Sequence, residues 1–154
     1  MKVILTTVFS AFNYGSSLQA LAGKRIIEKT GYECELVKLK SLIKGRDVRI
    51  GKLMTILFRS IFLNKNNSLK TYNNSYNKTL VEGTECKFFN FTDTYLKPQE
   101  VTYGELKRMA EESIACFSGS DQIWNSSTLY VDPLYYLRFA PQYKRVALSP
   151  SFGR

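Results

Sequence analysis

At 154 residues the chain has the size of one domain or of a portion of a larger protein. It is 44% hydrophobic and 23% charged, enough to bury a core, and it contains no run of about 18 apolar residues that would cross a bilayer. Histidine is absent, and Cys34, Cys86 and Cys116 show no CxxC spacing; a Ser-His-Asp triad, a Cys-His pair and the common zinc sites are thereby excluded within this chain.

Met1-Lys2-Val3-Ile4-Leu5 has no small-residue cleavage site and reads as the start of a strand rather than a signal peptide. The β-branched, apolar segment Lys2 to Val8 predicts a buried strand, followed by the polar turn 11–17. Leu18, Leu21, Ala22 and Ile26 recur at helical spacing up to Lys29, and Gly31 is a stop signal. Glu33 to Leu39 alternates, with Cys34, Leu36 and Val37 inward, and completes a strand–helix–strand unit that implies a parallel sheet. Ile50 to Leu63 predicts an amphipathic helix with Ile50, Leu53, Met54, Leu57 and Ile61 on one face and Lys52, Thr55 and Arg59 opposite. The Asn/Lys/Ser/Tyr-rich stretch 64–78 reads as an exposed loop. Glu85 to Tyr95 reads as a short helix, and Thr102 with Glu105 as a capping box opening a helix that runs to about Glu112. Ser113 to Ser118 and Arg145 to Ser149 are the remaining strands. The odd, scattered cysteines, with Cys34 and Cys116 in apolar runs, predict buried thiols and a reducing, cytoplasmic compartment.

The net charge of +9 is local. Ten Lys and Arg lie between Lys38 and Lys78 against one acid, Asp47, while the rest of the chain is balanced. A nucleic-acid-binding domain more often spreads its positive charge over a folded face. The pattern reads instead as a basic excursion, about residues 38–80, from an ordinary domain, and no nucleic-acid partner is expected. Its amphipathic helix, Ile50 to Leu63, suits an anionic membrane surface; packing on the domain's own sheet or on a further domain is the competing reading.

Three of the strands run into loops of small polar residues: 13–17, 118–125 and 149–153. In an open parallel sheet the strand C-termini share one edge, where ligands bind. A helix starting near Ser16 would aim free N–H groups there, suited to a phosphate or carboxylate. Gly15 and Gly119 would let backbone approach a ligand. The plain alternatives are a turn and cap at Asn13–Ser16, a cap at Asp121 and a core position for Trp124. Neither the dinucleotide GxGxxG nor the GxxxxGK[ST] pattern occurs.

The segments Phe12-Asn13-Tyr14-Gly15-Ser16-Ser17-Leu18-Gln19-Ala20, Gly119-Ser120-Asp121-Gln122-Ile123-Trp124-Asn125, Tyr135-Tyr136-Leu137-Arg138-Phe139, Lys144-Arg145-Val146-Ala147 and Ser149-Pro150-Ser151-Phe152-Gly153 resemble, in order and spacing, the N-terminal part of the polysaccharide pyruvyl transferase family. The resemblance implies an α/β fold: an open parallel sheet with flanking helices, like the N-terminal Rossmann-like domain of a glycosyltransferase-B-like enzyme. Residues 1–154 would then be an incomplete N-terminal domain without the C-terminal one that contributes basic residues and a histidine for the donor. The implied activity is a cytoplasmic transferase of bacterial exopolysaccharide biosynthesis. It moves the enolpyruvyl group of phosphoenolpyruvate onto a sugar to form a pyruvate ketal. A position at the inner membrane face is a further expectation, with a sugar or lipid-linked oligosaccharide as acceptor. No metal and no cofactor besides the donor substrate are expected. Asp121 is the expected catalytic carboxylate, orienting or deprotonating a hydroxyl. Asn13, Gly15, Ser16, Ser17, Gln122 and Ser151 are expected to bind substrate, and Trp124 to stack on a sugar ring or pack in the core. On this reading the chain by itself is inactive; an inert truncated product and a membrane-binding module are the rival functions.

Overall fold

A computed structural model describes residues 1–9, 14–40, 42–43, 46–47, 50–62, 84–120, 122–125 and 132–153. Five strands form one open sheet: β1 (Lys2–Thr6), β2 (Glu33–Leu39), β5 (Gln99–Val101), β6 (Ala115–Ser118) and β7 (Arg145–Ala147). Their order across the sheet is β5-β2-β1-β6-β7, and all four pairings are parallel. The class is α/β. A separate two-residue pairing, β3 (Leu42–Ile43) with β4 (Arg46–Asp47), is antiparallel.

The four strands expected from sequence are therefore parallel members of one sheet, with β1 in the middle. The chain adds strands outward from β1 on one side through β2 and β5, then returns to the other side for β6 and β7. That reversal places a topological switch point between β1 and β6, where the loops following the two strands diverge to opposite sides.

The central strand is apolar on both faces, and each face has its own cover. Val3 and Leu5 join Cys34 and Leu36 of β2 against Ala20 and Ile27 of helix α1 (Tyr14–Lys29) and against Leu96. Ile4, Val37 and Cys116 face the other way, onto Leu106 and Ala110 and the segment bearing Leu134, Leu137 and Phe139. Near-continuous apolar strands are what a sheet covered on both sides requires. Gly31, at φ +87°, ends α1 with its N–H on the Glu28 carbonyl, a left-handed turn that glycine adopts without strain.

Between β4 and β5 lie helix α2 (Ile50–Phe62), helix α3 (Thr84–Phe91) and a π-helical turn, Thr92–Leu96. Lys24 of α1 donates to the Leu96 carbonyl at 2.9 Å and anchors that turn to the first face. Helix α4 (Tyr103–Glu112) opens on the expected capping box: Thr102 Oγ1 accepts from Glu105 N, and Glu105 Oε2 accepts from Thr102 N at 2.7 Å. At its other end, Lys144 Nζ donates to the carbonyls of Ala110, Glu111 and Ser113 at 3.1, 2.6 and 2.7 Å. A cation thus occupies the negative end of the helix dipole and satisfies carbonyls that the helix leaves unpaired.

α2 does not pack its apolar face on the domain's own sheet, the competing reading of that helix. Ile56 is its buried member at 2% exposure, while Ile50 is 80%, Ile61 63% and Phe62 71% exposed. Leu53, Met54, Leu57 and Phe58 are exposed as well. The stretch 64–78, read as a loop, lies outside the described residues. Among the described residues no helix is long and apolar enough to cross a membrane.

Candidate functional site

The loops that leave β1, β6 and β7 are bonded to one another just beyond the strand ends. Thr6 Oγ1 donates to the Phe117 carbonyl at 3.1 Å, and Gly119 N–H donates to the Thr6 carbonyl at 3.1 Å. Leu148 N–H donates to the Ser118 carbonyl at 2.8 Å. These bonds carry the parallel pattern past the last paired residues and hold three loop origins together at the switch point.

Gly119 has a different task from the one read off the sequence. A Cβ built there would lie 2.8 Å from the Leu148 carbonyl oxygen and 3.1 Å from Leu148 Cβ. The close approach that glycine permits is taken up by the neighbouring chain of β7, so its missing side chain serves loop-to-loop packing.

The second and third loops form one hydrogen-bonded knot. Ser151 Oγ accepts from Gln122 N–H at 2.9 Å, and the Ser151 carbonyl accepts from Trp124 N–H at 3.1 Å. Gln122 and Ser149 both hold left-handed backbone, φ 55° and 50°. Such conformations in non-glycine residues cost energy and persist where the surroundings fix them. Gln122 Oε1 accepts from Asn125 Nδ2 at 3.4 Å. Trp124 Nε1 donates to the Tyr135 carbonyl at 2.9 Å, and its ring stacks on Tyr136 at 5.8 Å with Phe152 tilted against it at 5.5 Å. The indole is an anchor shared by three segments, with one face stacked on Tyr136.

The first loop joins this knot through α1. Ser120 Oγ is 3.3 Å from Gln19 Oε1 and donates to it. Gly15, Ser16 and Ser17 lie in the first turn of α1, whose N-terminus is thereby set beside the 119–125 loop. Ser17 is buried and turned inward, its hydroxyl donating to the Phe9 carbonyl at 3.4 Å. Gln122, Trp124 and Ser151 are thus brought together, with Gly15 and Ser16 on the adjoining helix end. Asn13 and Asp121, each within the loops just described, lie outside the described residues.

Two features of this region were not anticipated. Thr7, the residue after β1, is buried, and its hydroxyl has no hydrogen-bond partner. A buried hydroxyl is usually bonded, so an orphaned one at a switch point marks a place for a polar ligand atom or a water. On the α1 side of the sheet, over β2 and β5, there is also a cavity of about 430 Å³ bordered by Phe9, Lys38, Phe88, Asp93, Lys97 and Glu100. Lys38 Nζ pairs with Glu100 Oε1 at 3.1 Å on its rim. The signal for it in the sequence is the Phe88–Phe89 pair, but only the fold brings Phe9 beside Phe88.

The thiols of the two strands play no nucleophilic part. Burial pushes Cys34 up to about 12 and Cys116 above its ordinary value, so neither forms thiolate near neutrality. They sit on opposite faces of the sheet. Among the described residues no cluster of three or more His, Cys, Asp or Glu is arranged to hold a metal ion. Compared with known protein families, with curated proteins and with solved structures, the chain matches none.

Proposed function

We propose that the chain acts as the N-terminal, Rossmann-like half of a polysaccharide pyruvyl transferase, in a glycosyltransferase-B-like arrangement, and supplies the acceptor side of its cleft. The observation that carries this reading is a coincidence of two independent patterns. The segments with the strongest resemblance to that family, residues 12–20, 119–125 and 149–153, adjoin strands β1, β6 and β7. Those are the loops that the fold bonds together through Ser120–Gln19, Gln122–Ser151 and Gly119–Thr6. A strand order that reverses between β1 and β6 is also the arrangement in which open α/β sheets bind ligands.

Ketal formation needs a proton for the enol carbon, donors for the anionic groups and a base for the acceptor hydroxyl, of which this edge would supply the last. Phosphoenolpyruvate takes a proton at its methylene carbon, and C2 becomes cation-like. One sugar hydroxyl adds to C2 and loses its proton, phosphate departs with the C–O bond electrons, and a second hydroxyl closes the ketal, its proton ending on phosphate or water. In this scheme Asp121 orients or takes the proton of an acceptor hydroxyl. The positive dipole end of α1 and the Thr7 hydroxyl would favour an anion or a sugar oxygen. Trp124 braces the 119–125 loop through Tyr135 and Tyr136.

The test is an amide-resolved NMR titration of the chain with phosphoenolpyruvate and, separately, with neutral oligosaccharides. Shifts at Gly15, Ser16, Gln122 and Ser151 are expected with at least one of them. Titrations that move no amides, or only those far from the three loops, overturn the reading. In a transfer assay on a full-length relative, followed by acceptor mass and phosphate release, the change corresponding to Asp121→Asn should lower turnover with an unchanged far-ultraviolet dichroism spectrum. Unchanged turnover removes Asp121 from the mechanism.

A further inference from the structure

We propose that helix α2 (Ile50–Phe62) docks the protein on an anionic phospholipid bilayer through an apolar arc that points away from the domain. At 3.6 residues per turn, Leu53, Met54, Leu57, Phe58, Ile61 and Phe62 fall on one broad side of the helix. All six are exposed, and Phe58 and Phe62 stack on each other at 4.8 Å rather than on the core. Ile56, the buried residue, falls outside that arc on the other side of the helix, so the arc is the exposed side. The domain's own sheet is therefore not what covers it. A contiguous apolar surface of this kind marks an interaction site.

Charge selects the occupant. Between Lys38 and Lys78 there are ten basic residues and one acid, and within α2 itself Lys52 and Arg59 stand without any acid. A second copy would bring two such basic regions together, against their mutual repulsion. A nucleic acid would engage the basic residues and leave the apolar arc in water. An anionic bilayer satisfies both: acyl boundary for the arc, lipid phosphates and carboxylates for the flanking cations. With 13 residues at about 1.5 Å each the helix is far shorter than the roughly 30 Å hydrocarbon core, so it lies in the interface and does not span it.

The experiment is co-sedimentation of the full chain with vesicles of phosphatidylcholine alone and of phosphatidylcholine with phosphatidylserine. Binding is expected only to the mixed vesicles, and should fall at least about tenfold when salt shortens the Debye length from about 10 Å to about 3 Å. Leu57→Glu should cut binding to mixed vesicles by about tenfold or more with an unshifted melting curve, since Leu57 is half exposed and belongs to neither core cluster. Ile61→Glu, one turn on, is the second variant should the first misfold. Equal binding to neutral vesicles, no binding to either kind, full binding by both variants, or a concentration-dependent dimer that Leu57→Glu dissolves would overturn the proposal. So would retention on RNA that survives Leu57→Glu while vesicles are ignored.

Discussion

Helices α2 and α4 carry the same kind of message in their sequences and end in opposite situations. Both alternate apolar and polar residues at helical spacing. α4 turns its apolar stripe into the sheet, with Leu106 and Ala110 fully buried against Ile4, Val37 and Cys116. α2 turns all but Ile56 of its apolar residues outward. α4 is also finished at both ends, by the Thr102–Glu105 box and by Lys144 on its last carbonyls. α2 has no acid in its first turn. Amphipathic periodicity states that a helix has a partner; it does not state that the partner is the same domain.

The sharpest way to break this contrast is truncation on each helix. Leu106→Ala empties a fully buried site and should cost about 3 kcal/mol of unfolding free energy, the transfer loss plus a cavity that the sheet cannot close. Leu57→Ala on the exposed arc should stay within about 0.5 kcal/mol. Chemical denaturation of both variants checks the pair. Similar losses at the two positions would mean that α2 packs internally after all.

The next effect lies where the loops meet. Gly119→Ala places a methyl 2.8 Å from the Leu148 carbonyl oxygen, and a backbone atom cannot swing aside as a side chain would. We expect a loss of about 2 kcal/mol, in the range for overpacked sites. NMR shifts should spread to Gln122 and Ser151, whose hydrogen bond depends on the spacing of the two loops. A neutral substitution would show that the loops are not held together at this point.

The same contrast between local and distant causes separates what could be read in advance from what could not. β1, β2, β6 and β7 announce themselves by apolar runs, and α4 by Thr102 and Glu105 three residues apart, because those signals are complete within a few residues. β5 escaped. It has three residues, Gln99, Glu100 and Val101, of which only Val101 is buried, and it is a strand because Val37 to Leu39 lie beside it. Gly119 shows the same limit. That it must be glycine is visible in a loop of small residues, but whether a ligand or another stretch of chain makes the close approach depends on Leu148, 29 positions away. The bonding of the segments after β6 and β7 to each other, and of α1 to the former through Gln19 and Ser120, was legible because parallel topology brings the strand ends to one edge. The orphaned Thr7 hydroxyl and the cavity beside Phe9 were not, since both depend on which side chains the fold leaves unmatched.

The smallest effect tests why α4 starts where it does. Thr102→Ala removes the side-chain half of the box and should cost about 1 kcal/mol, as N-cap losses generally do. The other half titrates. The Thr102 backbone N–H, and then its hydroxyl, donate to the Glu105 carboxylate and hold it below the ordinary glutamate value. A carboxylate whose pKa is lower in the folded state stabilises the fold above its unfolded pKa and loses that contribution as pH falls through the folded one. Glu105→Gln should therefore be less stable than the parent at neutral pH, and the gap should narrow once the pH drops below about 4.3, the unperturbed glutamate value. Glu105 is partly exposed, so the gap should also shrink with added salt. Melting curves of parent and variant across this pH range decide it. A gap that stays constant with pH would mean that the ionised carboxylate contributes nothing, and that α4 is fixed by the burial of Leu106 and Ala110 and by Lys144 alone.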